Sequence, residues 1–278
     1  DTVKLIQKIK SFSTRPAVVI VDNASTDHSV SYLDAYQDEQ VHLLVLERNE
    51  GYAKGNNAGI HYALEHFSSE YLAIANPDVL FEESVLSELI QVIENGGARV
   101  GLVAPRMCGG KSYSSLGAWK QPTVSNLIFN NFMLLKKIFG DPTFYKEHEL
   151  SDPVCKVDVV SGSFFVCRAG LMKEIGYFDE HTFLYGEENI LGMKLKNKGC
   201  QSYLCTKLQY QHEHSASIDK QIPAVKKKFG FLYDSMLYYI KTYQNAGKTA
   251  QFLYDISFRL GLFNYILLNK MRESVKRK

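Results

Sequence analysis

The stretch AVVIVDNASTD, residues 17–27, decides the reading of the fold. Ala17–Val21 is a short continuous apolar run, the pattern of a strand buried on both faces. It stops at once in Asp22-Asn23-Ala24-Ser25-Thr26-Asp27, residue types that make turns and cap helix N-termini. A helix to about residue 39 is expected to follow. Strand, turn and helix in direct succession form the repeating unit of a layered α/β protein.

The unit recurs on either side. Upstream, Leu5, Ile9 and Phe12 share one helical face. Downstream, Val41–Leu46 reads as a strand, followed by a Gly/Asn-rich turn and a helix through His61–Phe67. Tyr71–Ala75 is another apolar strand, ending in Asn76-Pro77-Asp78, and a helix over Glu82–Glu94 is closed by Asn95-Gly96-Gly97. Val100–Ala104 is a further strand. Residues 106–155 read as loops with a helix near Val124–Phe139. A strand returns at Val157–Arg168, then helices at about Leu171–Ile175 and Glu187–Lys198, then a strand over Lys207–His214. The expected fold is α/β with a mainly parallel central sheet.

The last sixty residues read as helical. Phe229, Leu232, Tyr233, Met236, Leu237 and Ile240 recur at helical spacing, and Phe252, Ile256, Leu260, Phe263 and Leu267 roughly repeat it. Two domains are expected: residues 1–219, and a basic, aromatic helical extension over 220–278.

Charge follows the same division. The chain of 278 residues has a formal net charge of +2, too small to make the whole molecule a polyanion binder, and no nucleic-acid partner is expected. Residues 220–278 hold 12 Lys/Arg against 3 Asp/Glu, so the body before them is acidic. The basic tail has two readings: it packs on the body, or it meets an anionic membrane surface. On the second, Tyr238, Tyr239, Tyr243, Phe263 and Tyr265 would sit at the interface, with Lys226–Lys228 and Lys276–Lys278 facing phosphates. No uncharged run is long enough to span a bilayer, because Ala250–Asn269 contains Asp255 and Arg259. Five cysteines without a CxxC pair, and no signal-peptide pattern, lead to the expectation of a cytoplasmic protein, peripheral at the inner face of the plasma membrane.

In open α/β sheets, ligands bind beyond the carboxyl ends of the strands. Asp22 and Asp78 stand at such ends. The turn Asn49-Glu50-Gly51-Tyr52-Ala53-Lys54-Gly55-Asn56-Asn57 brings glycines, a lysine and helix-end amides, features that suit a nucleotide diphosphate. Taken singly, each has an ordinary alternative: the two aspartates as turn or capping residues, the turn as a simple strand-to-helix link.

Six stretches occur in order: VIVDNASTDHS, RNEGYAKGNNAGI, IANPDVLF, VDVVSGSFFVCR, GYFDEHTFLYGEEN and YQHEHSAS. Together, over about residues 17–217, they resemble the inverting nucleotide-sugar glycosyltransferases of family two, particularly the rhamnosyltransferase-like branch. The resemblance implies a GT-A fold, a divalent metal (Mn2+ or Mg2+), and transfer from a UDP- or dTDP-sugar, dTDP-rhamnose among them. The acceptor would be a glycan or a lipid-linked sugar in polysaccharide biosynthesis.

Residue by residue, the resemblance implies that Asp22 and Asn23 meet the base or ribose. Gly51, Lys54, Gly55 and Asn56 would contact the nucleotide. Asn76 and Asp78 match the ends of the family's DxD motif, with Asp78 as metal ligand. His212 resembles the late histidine that completes the metal site, although a packed histidine on one strand face is the alternative, and His214 competes for the role. Glu187 and Glu188 match the family's Glu-Asp pair, whose second acid serves as catalytic base. Their alternative is to favour the first turn of a helix through its dipole.

Three departures stand out. Glu188 replaces the usual Asp, and Ile190 and Lys194 sit where relatives carry an acid and an arginine. Relatives also begin with a strand before the first helix, so a GT-A fold lacking its first strand is expected. A non-catalytic nucleotide-sugar-binding relative and a nucleotidyltransferase are the competing classes.

Overall fold

A computed structural model describes residues 1–109, 116–212 and 225–276. The chain opens with helix α1 (Thr2–Lys10), strand β1 (Val18–Asp22), helix α2 (Ser29–Asp34) and strand β2 (Val41–Val45). Then come α3 (Tyr52–His66), β3 (Tyr71–Ala75), β4 (Val79–Leu80), α4 (Glu83–Gly96) and β5 (Val100–Cys108). Each apolar run became a strand, and each turn that follows one starts a helix or short strand. Helix α4 shows why: Val85, Leu89 and Ile93, spaced four apart, are all buried, and Gly97 ends the helix at φ +72°.

The irregular middle contains β6 (Ala118–Trp119) and two short helices, α5 (Val124–Asn130) and α6 (Met133–Phe139), where one was expected. Next are β7 (Val154–Val157), β8 (Val159–Val160), β9 (Phe164–Arg168), α7 (Ala169–Glu174), α8 (Glu187–Asn197) and the long strand β10 (Gln201–His212). Helices α9 (Val225–Thr242) and α10 (Lys248–Lys276) close the described chain.

The fold class is α/β as expected, but the sheet is mixed rather than mainly parallel. Its strand order is β3-β9-β5-β10-β4, with β7 also paired to β10. Within it only β5 and β10 pair in parallel; β9 is antiparallel to both β3 and β5, and β4 and β7 are antiparallel to β10. The alternation of strands and helices had implied parallel crossovers throughout. After β5, however, the chain returns through β9 by an irregular segment, and that return reverses direction. Strands β1 and β2 form a separate parallel pair. Among the described residues, no strand lies on the other edge of β1.

Buried clusters fill both faces of the sheet: Leu72, Phe165, Leu191 and Leu204 in one, Val79, Leu89, Val103 and Tyr210 in the other. A third cluster joins α8 to the C-terminal helices through Ile190, Met236, Tyr239, Ile240, Tyr254 and Phe258. Packing is thus the first role of the tail. Of the aromatic side chains expected at an interface, only Phe263 is exposed. Tyr239 is fully buried, Tyr238 and Tyr243 bond to Asp179, and the Tyr265 ring packs on Phe229. Lys227 lies over the Phe231 ring. His214, the Lys226 side chain and Lys276–Lys278 side chains lie outside the described residues.

Candidate active site

The site is built at the ends of β1, β3 and β10 and at the start of two helices. Asp22, the last residue of β1, is buried, and its Oδ1 accepts the Ser25 N–H at 2.8 Å. That is the turn-forming role weighed for it above. Asn23 joins this turn to the next: its Nδ2 donates to the Gly51 carbonyl at 3.0 Å and its Oδ1 accepts the Glu50 N–H at 3.2 Å. Gly55 lies against the Asn23 amide, where a Cβ would come within 3.3 Å of Nδ2. The strand-end turn and the Gly/Asn-rich turn therefore adjoin, as expected.

Gly51 caps α3 at φ +93° and ψ −178°, a conformation essentially restricted to glycine. A methyl group there would overlap the carbonyl oxygen of Phe183, which accepts the Tyr52 N–H at 2.9 Å. Gly51→Ala is thus expected to cost about 1–3 kcal/mol from the strained backbone alone. Urea unfolding checks this; an unchanged midpoint would contradict it.

Two nucleotide candidates are engaged within the turn itself. Lys54 Nζ lies 3.2 Å from Glu50 Oε1, and that carboxylate, held by Lys54 and by Arg48, titrates below its ordinary range. The Asn56 amide donates to the Tyr52 carbonyl one helical turn back, at 2.9 Å.

Asn76-Pro77-Asp78-Val79 is a tight turn, with the Val79 N–H donating to the Asn76 carbonyl at 3.3 Å. It carries Asp78 to β10, where Val79 pairs with His212. Asp78 Oδ1 and His212 Nε2 are 3.2 Å apart, and the two residues are 5% and 8% exposed. The sequence alone left His212 either packed or ligating; it is packed, and it is beside Asp78. Its other ring nitrogen lies 3.3 Å from Met107 Sδ, a neighbour that nothing in the sequence signalled.

The pair fits a divalent cation by donor type and spacing. One carboxylate oxygen and one imidazole nitrogen are ligands that Mn2+ accepts. Cis ligands about 2.1 Å from one octahedral cation sit about 3 Å apart, close to the separation here. Among the described residues no third His, Cys, Asp or Glu joins them, so further ligands would come from the donor diphosphate and water.

Glu187 and Glu188 open α8 after Gly186, which takes the left-handed conformation at φ +88°. They differ sharply in setting. Glu187 is 4% exposed, and its Oε1 has no hydrogen-bond partner. Burial, then the charge of Glu188, pushes its carboxyl up to about 8. Glu188 is half-buried, and its Oε1 accepts the Gly162 N–H at 3.3 Å. Burial raises its titration as well. Of the two residues, Glu188 keeps the larger exposed surface, and a carboxylate that is not fully enclosed suits proton exchange better.

The Glu187 shift has a consequence for stability. Between the ordinary carboxyl range near 4.5 and about 8, the folded state keeps a proton that the unfolded state has released. Stability therefore falls as pH rises through that window. Glu187→Gln removes the ionisation and is expected to flatten the decline of the melting temperature between pH 5 and 8. Parallel wild-type and variant profiles in scanning calorimetry would contradict it.

Tyr52 ties the parts together, and sequence reading missed it. Its hydroxyl donates to the Gly162 carbonyl at 2.7 Å and lies 3.5 Å from Asn76 Oδ1. Burial, then the charges of Glu188 and Glu187, pushes its hydroxyl well above the ordinary tyrosine range. Asn57 was quoted in the turn without a role. It accepts the Phe178 N–H and donates to the Phe178 carbonyl, clamping the loop that leads to Glu187. Helix α9 braces the same loop from outside: Ser235 Oγ donates to the Leu184 carbonyl, and the Tyr238 and Tyr243 hydroxyls donate to Asp179. Burial opposes ionisation of Asp179, but hydrogen bonds led by Tyr243 hold its carboxyl at about 2.

Comparison with known proteins places this arrangement. The chain is 27% identical over 170 residues to the low-salt glycan biosynthesis hexosyltransferase Agl10 of Haloferax volcanii, covering 61% of this chain and 50% of that protein. It is 26% identical over 235 residues to the N-acetylglucosaminyl-diphospho-decaprenol L-rhamnosyltransferase of Mycobacterium tuberculosis, covering 80% of this chain and 74% of that one. It thus spans about half the length of the first of these relatives. In structure it superposes on GalNAc-T7, solved with UDP, GalNAc and Mn2+, with a TM-score of 0.63 at 11% identity, over 86% of this chain and 46% of that one. This likeness is one of fold and identifies the α/β layers as the GT-A fold. The sequence profile of glycosyl transferase family 2 matches residues 3–175, well over half of the chain. The ends of β1 and β3, the turn at Gly51 and the Asp78 turn lie inside that match, while Glu187, Glu188 and His212 follow it, and the chain belongs to glycosyl transferase family 2.

Proposed function

We propose that this chain transfers a sugar from a UDP- or dTDP-sugar, with dTDP-rhamnose the first candidate, to a glycan or lipid-linked acceptor, inverting the anomeric configuration. What supports the reading most is one juxtaposition. Asp78 and His212, 134 positions apart, meet at 3.2 Å beside a turn that Tyr52 connects, through Gly162, to Glu188. A metal-type pair and a proton-accepting carboxylate on one sheet edge are what a single displacement needs. Family membership and the names of the rhamnosyltransferase relatives favour the same donor class.

In this reading Asp22 and Asn23 border the base and ribose, and Gly51, Lys54, Gly55, Asn56 and Asn76 border the ribose and diphosphate. Asp78 and His212 hold a divalent cation, which when bound offsets the negative charge of the diphosphate. Glu188 accepts the proton of the acceptor hydroxyl as its oxygen bonds to the anomeric carbon. The bond from that carbon to the diphosphate breaks in the same step, and nucleoside diphosphate departs. Burial and the charge of Glu188 favour the neutral form of Glu187, so in this reading Glu188 is the member of the pair that carries the charge. Residues 1–219 form the transferase domain, and α9 and α10 of the extension over 220–278 brace it.

Calorimetric titration with UDP and dTDP, with and without Mn2+, tests the donor site. Metal-dependent binding of at least one nucleotide is expected, and its identity ranks the two donor bases. Absence of binding to both would contradict the proposal.

A further inference from the structure

The C-terminal helix α10 is apolar on two opposite sides. Tyr254, Ser257, Phe258 and Gly261 face the body and are buried. On the far side, Phe252, Leu253, Ile256, Leu260, Phe263 and Leu267 are all exposed, Phe263 at 64%. At 100° per residue these six fall within one arc of roughly 100°, about 23 Å long at 1.5 Å per residue. A water-facing helix surface is ordinarily polar, so a second apolar stripe calls for a second apolar neighbour.

A second exposed apolar helix lies close by. Helix α6 reads MLLKKIF, and Leu134, Ile138 and Phe139 stand exposed on it, Phe139 at 74%. It starts beside α10: Asn131, two residues before α6, donates from its side chain to Ser257 Oγ, and a Cβ on Gly261 would overlap the Asn131 carbonyl. The chain leading into α6 thus packs on α10 at Ser257 and Gly261, which brings the second exposed apolar helix close to the first.

Charge selects the occupant. Residues 248–278 hold seven Lys/Arg against two Asp/Glu, and α6 adds Lys137 and Lys136, the latter paired with Asp141. Two copies joined through this face would bring like charges together, whereas an anionic lipid surface complements both the apolar rows and the lysines. Among the described residues no helix is long and apolar enough to cross a membrane, so the helices would lie in the interface rather than span it.

We infer that α6 and the outward face of α10 together form a docking surface for an anionic lipid bilayer. Helix α9 is not part of it, because its aromatic side chains are engaged within the fold: Phe231 and Tyr238 on the loop before Glu187, Tyr239 on Gln121 and Pro122, and Tyr233 and Phe229 on α10. The docking face therefore differs from the basic tail as a whole: it omits α9 and recruits α6, more than one hundred residues upstream. Its purpose, to hold the transferase near a lipid-linked acceptor, rests on the function proposed above; its lipid binding does not.

The test is flotation of the full chain with vesicles of phosphatidylcholine alone or with phosphatidylglycerol added. Co-flotation with the anionic vesicles, weakened by salt, is expected. The paired variants Phe252→Ser/Phe263→Ser on α10 and Leu134→Ser/Phe139→Ser on α6 are each expected to reduce the bound fraction roughly tenfold. Their melting temperatures should stay close to wild type, since these side chains touch solvent. A chain that stays unbound at every lipid composition overturns the inference. So does a dimer in sedimentation equilibrium that both paired variants dissociate, which would assign the face to a second copy. Wild-type flotation by the α6 variant alone would remove α6 from the surface and overturn the two-helix form. Because vesicle binding needs no donor sugar, its failure is separable from failure of the transferase reading.

Discussion

Glu188→Gln is expected to lower sugar transfer roughly 10²–10⁴-fold while nucleotide affinity stays within a few-fold. Glutamine keeps the length of the side chain and an oxygen to accept the Gly162 N–H, but it cannot take a proton. The fold should hardly notice, since the residue is half-buried at a helix N-terminus. Glu187→Gln is the informative control. Glutamine imitates the neutral carboxyl that burial already imposes on Glu187 up to about pH 8, so much of the activity should survive. Because burial also raises Glu188, the wild-type rate should climb with pH as that carboxylate forms. Initial rates of both variants from pH 6 to 9 check this. An active Glu188→Gln beside a dead Glu187→Gln would exchange the two roles.

Asp78→Ala is expected to abolish the metal-dependent part of nucleotide binding, weakening affinity in Mn2+ at least tenfold. The prediction follows from how few protein ligands are at hand: Asp78 and His212 alone among the described residues. In the proposed site, losing Asp78 leaves a single candidate ligand among the described residues. Affinity without metal should change little, which separates this effect from a collapsed pocket. Calorimetry with and without Mn2+ reads both numbers, and wild-type affinity in Mn2+ would remove Asp78 from the metal site.

How far the sequence reveals these features depends on the range of the interactions. Val18–Asp22, Val41–Val45 and Tyr71–Ala75 are legible because each is a local apolar run stopped by turn residues. The direction of the sheet is not, because β9 enters between β3 and β5 from nearly ninety residues after β3 ended, and no local pattern encodes that insertion. The helical spacing of Phe252, Ile256, Leu260, Phe263 and Leu267 marks a helix but not which side of it meets the body; here the buried side is Tyr254, Ser257 and Phe258. Tyr238, Tyr239 and Tyr243 look like interfacial aromatics until their hydroxyls are found on Asp179, Gln121 and Pro122. Asp78 and His212 were joined by motif resemblance alone, and the β4–β10 pairing supplies the physical reason. Tyr52 left no signal at all: a tyrosine after a glycine becomes a linking residue only once Gly162, 110 positions on, lies against it.

The measurement that bears most directly on the proposal of metal-assisted sugar transfer is release of nucleoside diphosphate from dTDP- and UDP-sugars, with Mn2+ and with a chelator. Slow release in Mn2+, suppressed by the chelator and lost in Asp78→Ala, is the predicted result. Nucleotide binding without any release, with or without candidate glycan acceptors, would contradict it and point to a relative that binds nucleotide sugars without turning them over.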